Sequence, residues 1–196
     1  MQRLNFLLLC LLLSHPCPGK PNILFLFADD QRNHTLGCAG HPVVKTPHLD
    51  RLAAQGVRFE NAFVTTSTCW ASRACLFTGC YERRHLYRAS PGPLNPDLCK
   101  SSYFALLRAS GYRTAHLGKE HVAIAKQSAA AMWDIRRRLG RNPYFKKQAD
   151  GSLRHTTQIL GDWGIEFLRE QKSDQPFCLQ ISFNATHAED RDKRPG

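Results

Sequence analysis

A short apolar run, PNILFLFA at residues 21–28, ends in two adjacent acidic residues, Asp29 and Asp30. The run is too short for a typical core helix and is flanked by polar residues, so it indicates a buried strand. A strand that is apolar on both faces is typical of a parallel sheet covered by helices. This segment restricts the fold more than any other, because it favours an α/β domain.

Further strand and helix patterns alternate along the chain. Strands are predicted at 112–117 and 177–183, and helices at 46–56, within 65–79, at 102–110 and at 156–171. Residues 57–64 look extended, and the basic residues 125–155 are interpreted as an irregular surface excursion. The alternation predicts a mostly parallel central sheet flanked by helices, with sites collected at the carboxyl ends of the strands.

The N-terminus has the pattern of a cleaved secretory signal. Arg3 precedes the apolar run FLLLCLLL at 6–13, and the sequence HPCPG at 15–19 interrupts it. The run is too short to anchor a protein stably in a bilayer. We therefore predict a signal peptide at 1–19, a domain at 20–196 and no stable membrane anchor. Export would lead to the periplasm, the extracellular space or, in a eukaryote, the lysosome.

The formal net charge of +11 has two interpretations. The basic residues form a solvated surface, or they attract an anionic partner such as a sulfate ester or a sulfated glycan. The densest basic cluster, residues 136–138, is short and is not interleaved with aromatic residues. Nucleic acid is therefore not an expected partner.

Cysteines supply a second clue. Export permits disulfides, and six of the eight cysteines follow the predicted signal. If Cys69 has a chemical role, the remaining five cannot all pair within the chain. No spacing of cysteines and histidines indicates a zinc site.

Polar residues follow each strand candidate. Asp29 and Asp30 follow the first, Lys119 and His121 the second, and His187 the third. Two adjacent carboxylates provide oxygen ligands for calcium or magnesium, although for the pair alone a polar strand end or turn is the favoured explanation. The position of these residues after strands predicts one shared site.

Cys69 lies at the predicted start of a short helix, where unpaired backbone N–H groups favour an anion. Arg73 follows one turn later on roughly the same face and can bind negative charge through two N–H groups. On this pattern alone, a buried cysteine in a short helix is the commoner alternative.

The segment CWASRACLFTG at 69–79 resembles the sulfatase motif, C-x-P-S-R followed by three variable residues and L-T-G. Other blocks of that family recur in the expected order: NIL at 22–24 before Asp29 and Asp30, LGCAG at 36–40, TPHLDRLA at 46–53, GVRF at 56–59, GYRT at 111–114, GKEH at 118–121 and SFNATH at 182–187. The chain after the signal therefore resembles the N-terminal part of a formylglycine-dependent, arylsulfatase-like sulfatase of the alkaline phosphatase superfamily.

The resemblance implies the hydrolysis of sulfate esters. A maturation enzyme would oxidise Cys69 to formylglycine, whose hydrated aldehyde attacks sulfur, expels the alcohol and then eliminates sulfate. Asp29, Asp30 and the modified Cys69 would bind calcium, with magnesium as an alternative. Arg73 would stabilise the modified residue and the developing charge.

The resemblance also assigns the remaining site residues. Lys119 would contact sulfate, and His121 would orient or deprotonate the diol. His187 would bind sulfate or protonate the leaving oxygen. The substrate would be a sulfated small molecule or glycan.

Four positions depart from the family pattern. Alanine replaces proline at 71, phenylalanine replaces leucine at 77, glutamate replaces tryptophan at 120, and threonine replaces proline at 186. None of them removes a residue with a chemical role, although Ala71 leaves the kind of maturation enzyme open. The other histidines of interest, His48, His85 and His116, are interpreted as structural or surface residues.

The family's later Asp-Asn metal pair, a further sulfate-binding lysine and a smaller C-terminal subdomain have no candidates in this sequence. The resemblance therefore implies the N-terminal portion of a catalytic domain, with half a metal site and no assured activity alone. Two alternatives stay open. One is a phosphonate or phosphate ester hydrolase of the same superfamily, and the other is an inactive module that binds polyanions.

Overall fold

The computed structural model describes residues 19–88 and 92–189, so all of the predicted signal peptide except Gly19 lies outside the described residues. The strands are β1 (Ile23–Asp29), β2 (Arg113–Gly118), β3 (Ile135–Arg138), β4 (Phe145–Lys147), β5 (Leu153–His155) and β6 (Phe177–Thr186). The helices are α1 (Pro47–Gln55), α2 (Cys69–Thr78), α3 (Glu82–His85), α4 (Pro96–Lys100), α5 (Tyr103–Ala109), α6 (Lys126–Met132) and α7 (Thr156–Arg169). None of these described helices has the length and apolar character needed to cross a bilayer.

Four strands form the main sheet in the order β1-β6-β2-β3, and every neighbouring pair is parallel. Strands β4 and β5 form a separate antiparallel pair. The predicted fold class, a mostly parallel sheet flanked by helices, is confirmed. The predicted strands at 112–117 and 177–183 correspond to β2 and β6.

Successive residues of β6 pack into two different hydrophobic clusters, one on each face of the sheet. Cys178 belongs to a cluster with Phe77, Phe104 and Met132, which lie on α2, α5 and α6. Leu179 belongs to a second cluster whose helical members come from α7. Since successive side chains of a strand point to opposite faces, the helices cover both faces of the central strands.

The helix ends follow local sequence signals. Gly79 ends α2 with a φ of 66°, which glycine adopts easily. The Ser102 side chain accepts a hydrogen bond from the Ala105 amide at the start of α5. Thr46 precedes α1 but does not cap it. Its hydroxyl oxygen accepts a hydrogen bond from the Gly37 amide instead, and the hydroxyl donates to Asp50.

Strand β1 is less buried than the sequence predicts. It is parallel to β6, as expected, but among the described residues it lies at the edge of the sheet. Leu24 and Leu26 are 48% and 46% exposed. No described helix covers that face of β1, so an apolar run on both faces did not produce burial on both faces.

The interpretation of residues 125–155 as an irregular surface excursion is wrong. The segment contains α6, β3, β4 and β5, and β3 joins the main sheet beside β2. Met132 and Trp133 are buried in the core. The basic composition was misleading because Arg136 and Arg137 pair with acidic side chains at the sheet edge.

Residues 57–64 form no strand, although the sequence predicted an extended segment there, and Phe63 is 91% exposed.

His116 is a fully buried structural residue, as interpreted from the sequence. Its ring packs edge-on against Phe77, and its Nε2 lies 3.3 Å from the Ser182 hydroxyl. Burial lowers the pKa of His116 from 6.5 to about 3, and the positive charges of Arg73 and Arg136 act in the same direction.

This burial predicts acid sensitivity. Below pH 6.5 the unfolded chain protonates His116 while the folded chain does not, until about pH 3. The free energy of unfolding should therefore fall as pH decreases across this window, at up to about 1.4 kcal/mol per pH unit. Urea denaturation across the window should show a shallower pH dependence for His116→Gln than for the wild type. Identical slopes would contradict the prediction.

Candidate active site

The carboxyl ends of three parallel strands meet at one edge of the sheet. Strand β1 ends at Asp29, β2 ends directly before Lys119, and β6 ends directly before His187. Thr186, the last residue of β6, is paired with Asp29 in the sheet. The predicted convergence of these residues is therefore found in the structure.

Asp29 is the centre of a buried ionic cluster. Its Oδ1 lies 3.5 Å from Nη2 of Arg73, and its Oδ2 contacts Nζ of Lys119. Arg73 is 1% exposed and also donates a hydrogen bond of 2.8 Å to the Lys119 carbonyl. Burial lowers the pKa of Arg73, and the charge of Asp29 opposes that change. The cluster fixes two cations beside one carboxylate.

Cys69 is the first residue of α2 and is a free, half-buried thiol. Thr68 precedes the helix but its side chain does not cap it. The first amides of a helix lack partners inside the helix and favour an anion nearby. Cys69 is also close enough to Arg73 for a negative charge on its sulfur to oppose the lowering of the Arg73 pKa by burial. Position 69 thus combines access, backbone donors and an adjacent cation.

His121 lies beyond the end of β2, with a left-handed backbone φ of 51°. Desolvation lowers the pKa of His121, and the charges of Lys119 and Arg73 lower it further. The imidazole is therefore biased towards its neutral form, which can accept a proton.

His187 is half-buried and contacts Nη1 of Arg141 through its Nδ1. The preceding residue, Thr186, donates a hydrogen bond of 3.3 Å to the Asp30 carbonyl. Arg141 is in turn near enough to His121 to influence its pKa. His187 therefore joins the site through Arg141 and the end of β6, without a direct bond to Asp29.

The described residues do not complete a calcium site. Calcium takes roughly six to eight oxygen ligands, and the described residues contain no group of three or more His, Cys, Asp or Glu side chains suited to a metal. The Asp29 carboxylate faces two cations, and Asp30 is exposed with a φ of 59°. These two carboxylates provide at most part of a coordination sphere for calcium.

A cleft of about 750 Å³ opens beside this cluster. Lys119 and His121 line it together with Arg138 and Arg141. Both arginines come from the segment that the sequence did not assign to the site. The cleft is strongly basic, which suits an anionic ligand.

Glu120 has a structural role that the sequence did not reveal. It is 4% exposed and binds Arg136 through both carboxylate oxygens, at 2.7 and 2.5 Å. This pair fixes the backbone between Lys119 and His121. A charged residue where the family has tryptophan was the signal that could have predicted a buried ionic partner.

Gly118 is required at the turn that leads into Lys119. Its φ is 101°, and a Cβ there would lie 2.2 Å from the Ser182 carbonyl oxygen. We expect Gly118→Ala to lower the free energy of unfolding by at least about 2 kcal/mol, from backbone strain and this clash. Gly140→Ala is the matched control, because nothing lies within 4 Å of its added Cβ. Equal urea midpoints for the two variants would contradict this prediction.

All six cysteines in the described part of the chain are free thiols. The expected export permits disulfides, but none is formed among these residues. Cys75 instead lies 3.3 Å from Nε2 of His85.

Comparison with known proteins gives consistent matches. The family model described as Sulfatase matches residues 21–195. An N-acetylglucosamine-6-O-sulfatase of Bacteroides thetaiotaomicron is 29% identical over 175 residues, which are 86% of this chain and 31% of the relative. Arylsulfatase A of Homo sapiens is 40% identical over 130 residues, 63% of this chain and 25% of the relative.

Solved structures agree with these matches. A protein in complex with its substrate D-glucosamine-2-N,6-O-disulfate has a TM-score of 0.72 and 28% identity, covering 86% of this chain and 35% of the other. A phosphonate monoester hydrolase of Agrobacterium radiobacter has a TM-score of 0.65 and 23% identity, covering 86% of this chain and 42% of the other. At this identity the match shows only that the two proteins share a fold. The chain thus spans about a third of the length of the N-acetylglucosamine-6-O-sulfatase and of the protein solved with the disulfated glucosamine.

Proposed function

Because the chain belongs to the sulfatase family, we propose that it is the N-terminal part of an enzyme that hydrolyses sulfate esters, with residue 69 as its nucleophile. The observation that supports this most directly is the buried cluster of Asp29, Arg73 and Lys119 beside the N-terminus of α2. A sulfate ester carries negative charge that grows on its oxygens during hydrolysis, and fixed cations stabilise such charge.

We propose that Cys69 is matured to formylglycine by a separate enzyme. Formylglycine supplies a hydrated aldehyde, which is a nucleophile with a second hydroxyl for releasing sulfate. The half-buried position of Cys69 allows both the maturation enzyme and the substrate to reach it. The backbone amides of the first turn of α2 and the guanidinium of Arg73 would hold negative charge beside it.

The neighbouring residues have complementary proposed roles. Lys119 would contact a sulfate oxygen, and Arg73 would hold Asp29 and the substrate charge in place. His121 would accept a proton from the nucleophile, because the lowered pKa keeps its imidazole neutral at neutral pH. His187 would act on the sulfate or the leaving oxygen.

Calcium, or alternatively magnesium, is the proposed metal. Asp29, Asp30 and the modified residue 69 would bind it, together with ligands from outside the described residues. The chemistry of two adjacent carboxylates suits a hard cation. Bound there, the metal would supply positive charge that polarises a sulfate oxygen, while Lys119 would contact the sulfate.

The proposed substrate class is a sulfated sugar or a sulfated small molecule. The basic cleft beside the cluster supports an anionic substrate, and two similar structures contain such ligands or related glycans. One binds D-glucosamine-2-N,6-O-disulfate, and another, with a TM-score of 0.76, binds a neocarrahexaose. For an exported protein, the site of action would be periplasmic, extracellular or lysosomal.

A substrate panel tests this function. Protein from its native host would be assayed for sulfate release from aryl sulfates and sulfated sugars, and for hydrolysis of the matching phosphonate and phosphate esters. We expect sulfate release to exceed the other reactions. Preferential phosphonate hydrolysis would favour the alternative enzyme, and tight binding of sulfated glycans without hydrolysis would favour a polyanion-binding module.

A further inference from the structure

The segment after β3 fixes the loop that carries His187. The Tyr144 hydroxyl donates to the Asn184 carbonyl at 2.8 Å and also contacts the His187 carbonyl. The Tyr144 amide donates to Glu189 at 3.1 Å. The Tyr144 ring stacks on His155, with 5.1 Å between the ring centroids. Tyr144 thus contacts the backbone at Asn184 and at His187, and the side chain of Glu189.

Arg141, three residues before Tyr144, contacts the imidazole of His187 directly. Its Nη1 lies against Nδ1 of His187, and its Nε donates a hydrogen bond of 3.0 Å to Asn142. A guanidinium has only donors, so the ring nitrogen that it contacts must accept. An accepting Nδ1 carries no proton.

The same Nδ1 has a second neighbour that requires the opposite tautomer. The Ala188 carbonyl oxygen lies 3.0 Å from it, and a carbonyl can only accept. One nitrogen cannot donate to Ala188 and accept from Arg141 in the same tautomer. The choice between these partners therefore decides which ring nitrogen of His187 carries the proton.

We propose that Arg141 is a positioning residue that holds neutral His187 as the Nε2–H tautomer, while Tyr144 fixes the loop backbone. This assignment extends the proposed function, because the sequence left His187 two roles. With Nδ1 accepting from Arg141, the ring contributes Nε2–H as a hydrogen-bond donor to a sulfate or leaving-group oxygen. His187 then binds and orients the substrate, and it is not the group that transfers a proton.

Nitrogen-15 NMR of the chain with labelled histidine tests the tautomer. His187 would be assigned by comparison with His187→Gln, at about pH 8, where histidines are ordinarily neutral. We expect Nε2 to be protonated in the wild type and Nδ1 to be protonated in Arg141→Met, where Ala188 becomes the remaining partner. Arg138→Met is the control, because Arg138 lines the same cleft without a hydrogen bond to His187. Its spectrum should match the wild type.

An Nδ1–H signal in the wild type, or an unchanged Nε2–H signal in a folded Arg141→Met, would overturn the proposal. If Arg141→Met does not fold, Arg141→Lys provides the test, since a lysine retains a donor and should preserve Nε2–H. Loss of Nε2–H in Arg141→Met with its preservation in Arg141→Lys supports the assignment. The measurement needs no turnover, so its result is independent of whether the sulfatase function holds.

Amide hydrogen exchange tests the contribution of Tyr144. The His187 amide donates to the Asn184 carbonyl at 3.2 Å, within the loop that Tyr144 holds. Tyr144→Phe keeps the ring on His155 and removes the hydroxyl, so we expect exchange at His187 to accelerate by roughly 5- to 10-fold. Tyr81→Phe, at an exposed ring, is the control. Equal exchange in both variants would overturn the backbone role.

Discussion

Cys69→Ala is expected to reduce sulfate ester hydrolysis by the protein from its native host by about 10⁴-fold or more. Alanine cannot be oxidised to an aldehyde, so the nucleophile at the start of α2 would be lost. The buried cluster of Arg73, Asp29 and Lys119 would remain and would still bind the substrate anion. We therefore expect kcat to fall far more than the affinity for a sulfated ligand.

Peptide mass spectrometry links this loss to the maturation of Cys69. Trypsin should release residues 59–73, because no lysine or arginine lies between Arg58 and Arg73. In active protein this peptide should have the mass of the aldehyde or its hydrate. Cys80→Ala, at another half-buried cysteine, should leave both activity and this peptide unchanged. Full activity with an unmodified thiol at position 69 would contradict the proposed chemistry.

Arg73→Met is expected to lower the free energy of unfolding by about 3 kcal/mol. Arg73 and Asp29 are 1% and 5% exposed, so removal of the guanidinium leaves a buried carboxylate with fewer partners. The hydrogen bond to the Lys119 carbonyl is lost as well. Methionine retains much of the side-chain volume, which limits the effect to the charge and its donors. Urea denaturation measures the change.

Arg113→Met is a close control for this variant. Arg113 lies over Phe167 with 4.8 Å between its guanidinium carbon and the ring centroid, the same distance that separates Arg73 from Phe27. Arg113 pairs with Glu170, whose side chain is 51% exposed, so its loss should cost about 1 kcal/mol or less.

A second change tests the cause. Asn in place of Asp29 removes the buried carboxylate, so Arg73→Met should cost less in an Asp29→Asn background than in the wild type. Equal costs for Arg73→Met and Arg113→Met, or an unchanged cost in the Asp29→Asn background, would show that the buried ionic cluster is not the source of the effect.

Local signals predicted much of the fold. The periodicity of residues 156–171 and the apolar run at 177–183 correspond to α7 and β6 within a few residues. These patterns depend only on residues close in sequence. Gly79, which ends α2, is an example. The sequence also predicted that Asp29 and Lys119 lie close together. Each follows a strand, and parallel strands bring their carboxyl ends to one edge of the sheet.

The sequence by itself determined the fold class, the family and the alignment of Asp29, Lys119 and His187 with strand ends. Only the tertiary structure decided which charges pair. Arg141 and His187 are separated by 46 positions, and Arg73 and Lys119 also by 46, so no local pattern relates them. The tertiary structure likewise decided that β1 is partly exposed, because no described helix covers the face with Leu24 and Leu26. It also decided that the basic residues of β3 belong to the main sheet. Such contacts depend on which chain segments lie side by side, and that is set by packing of the whole domain.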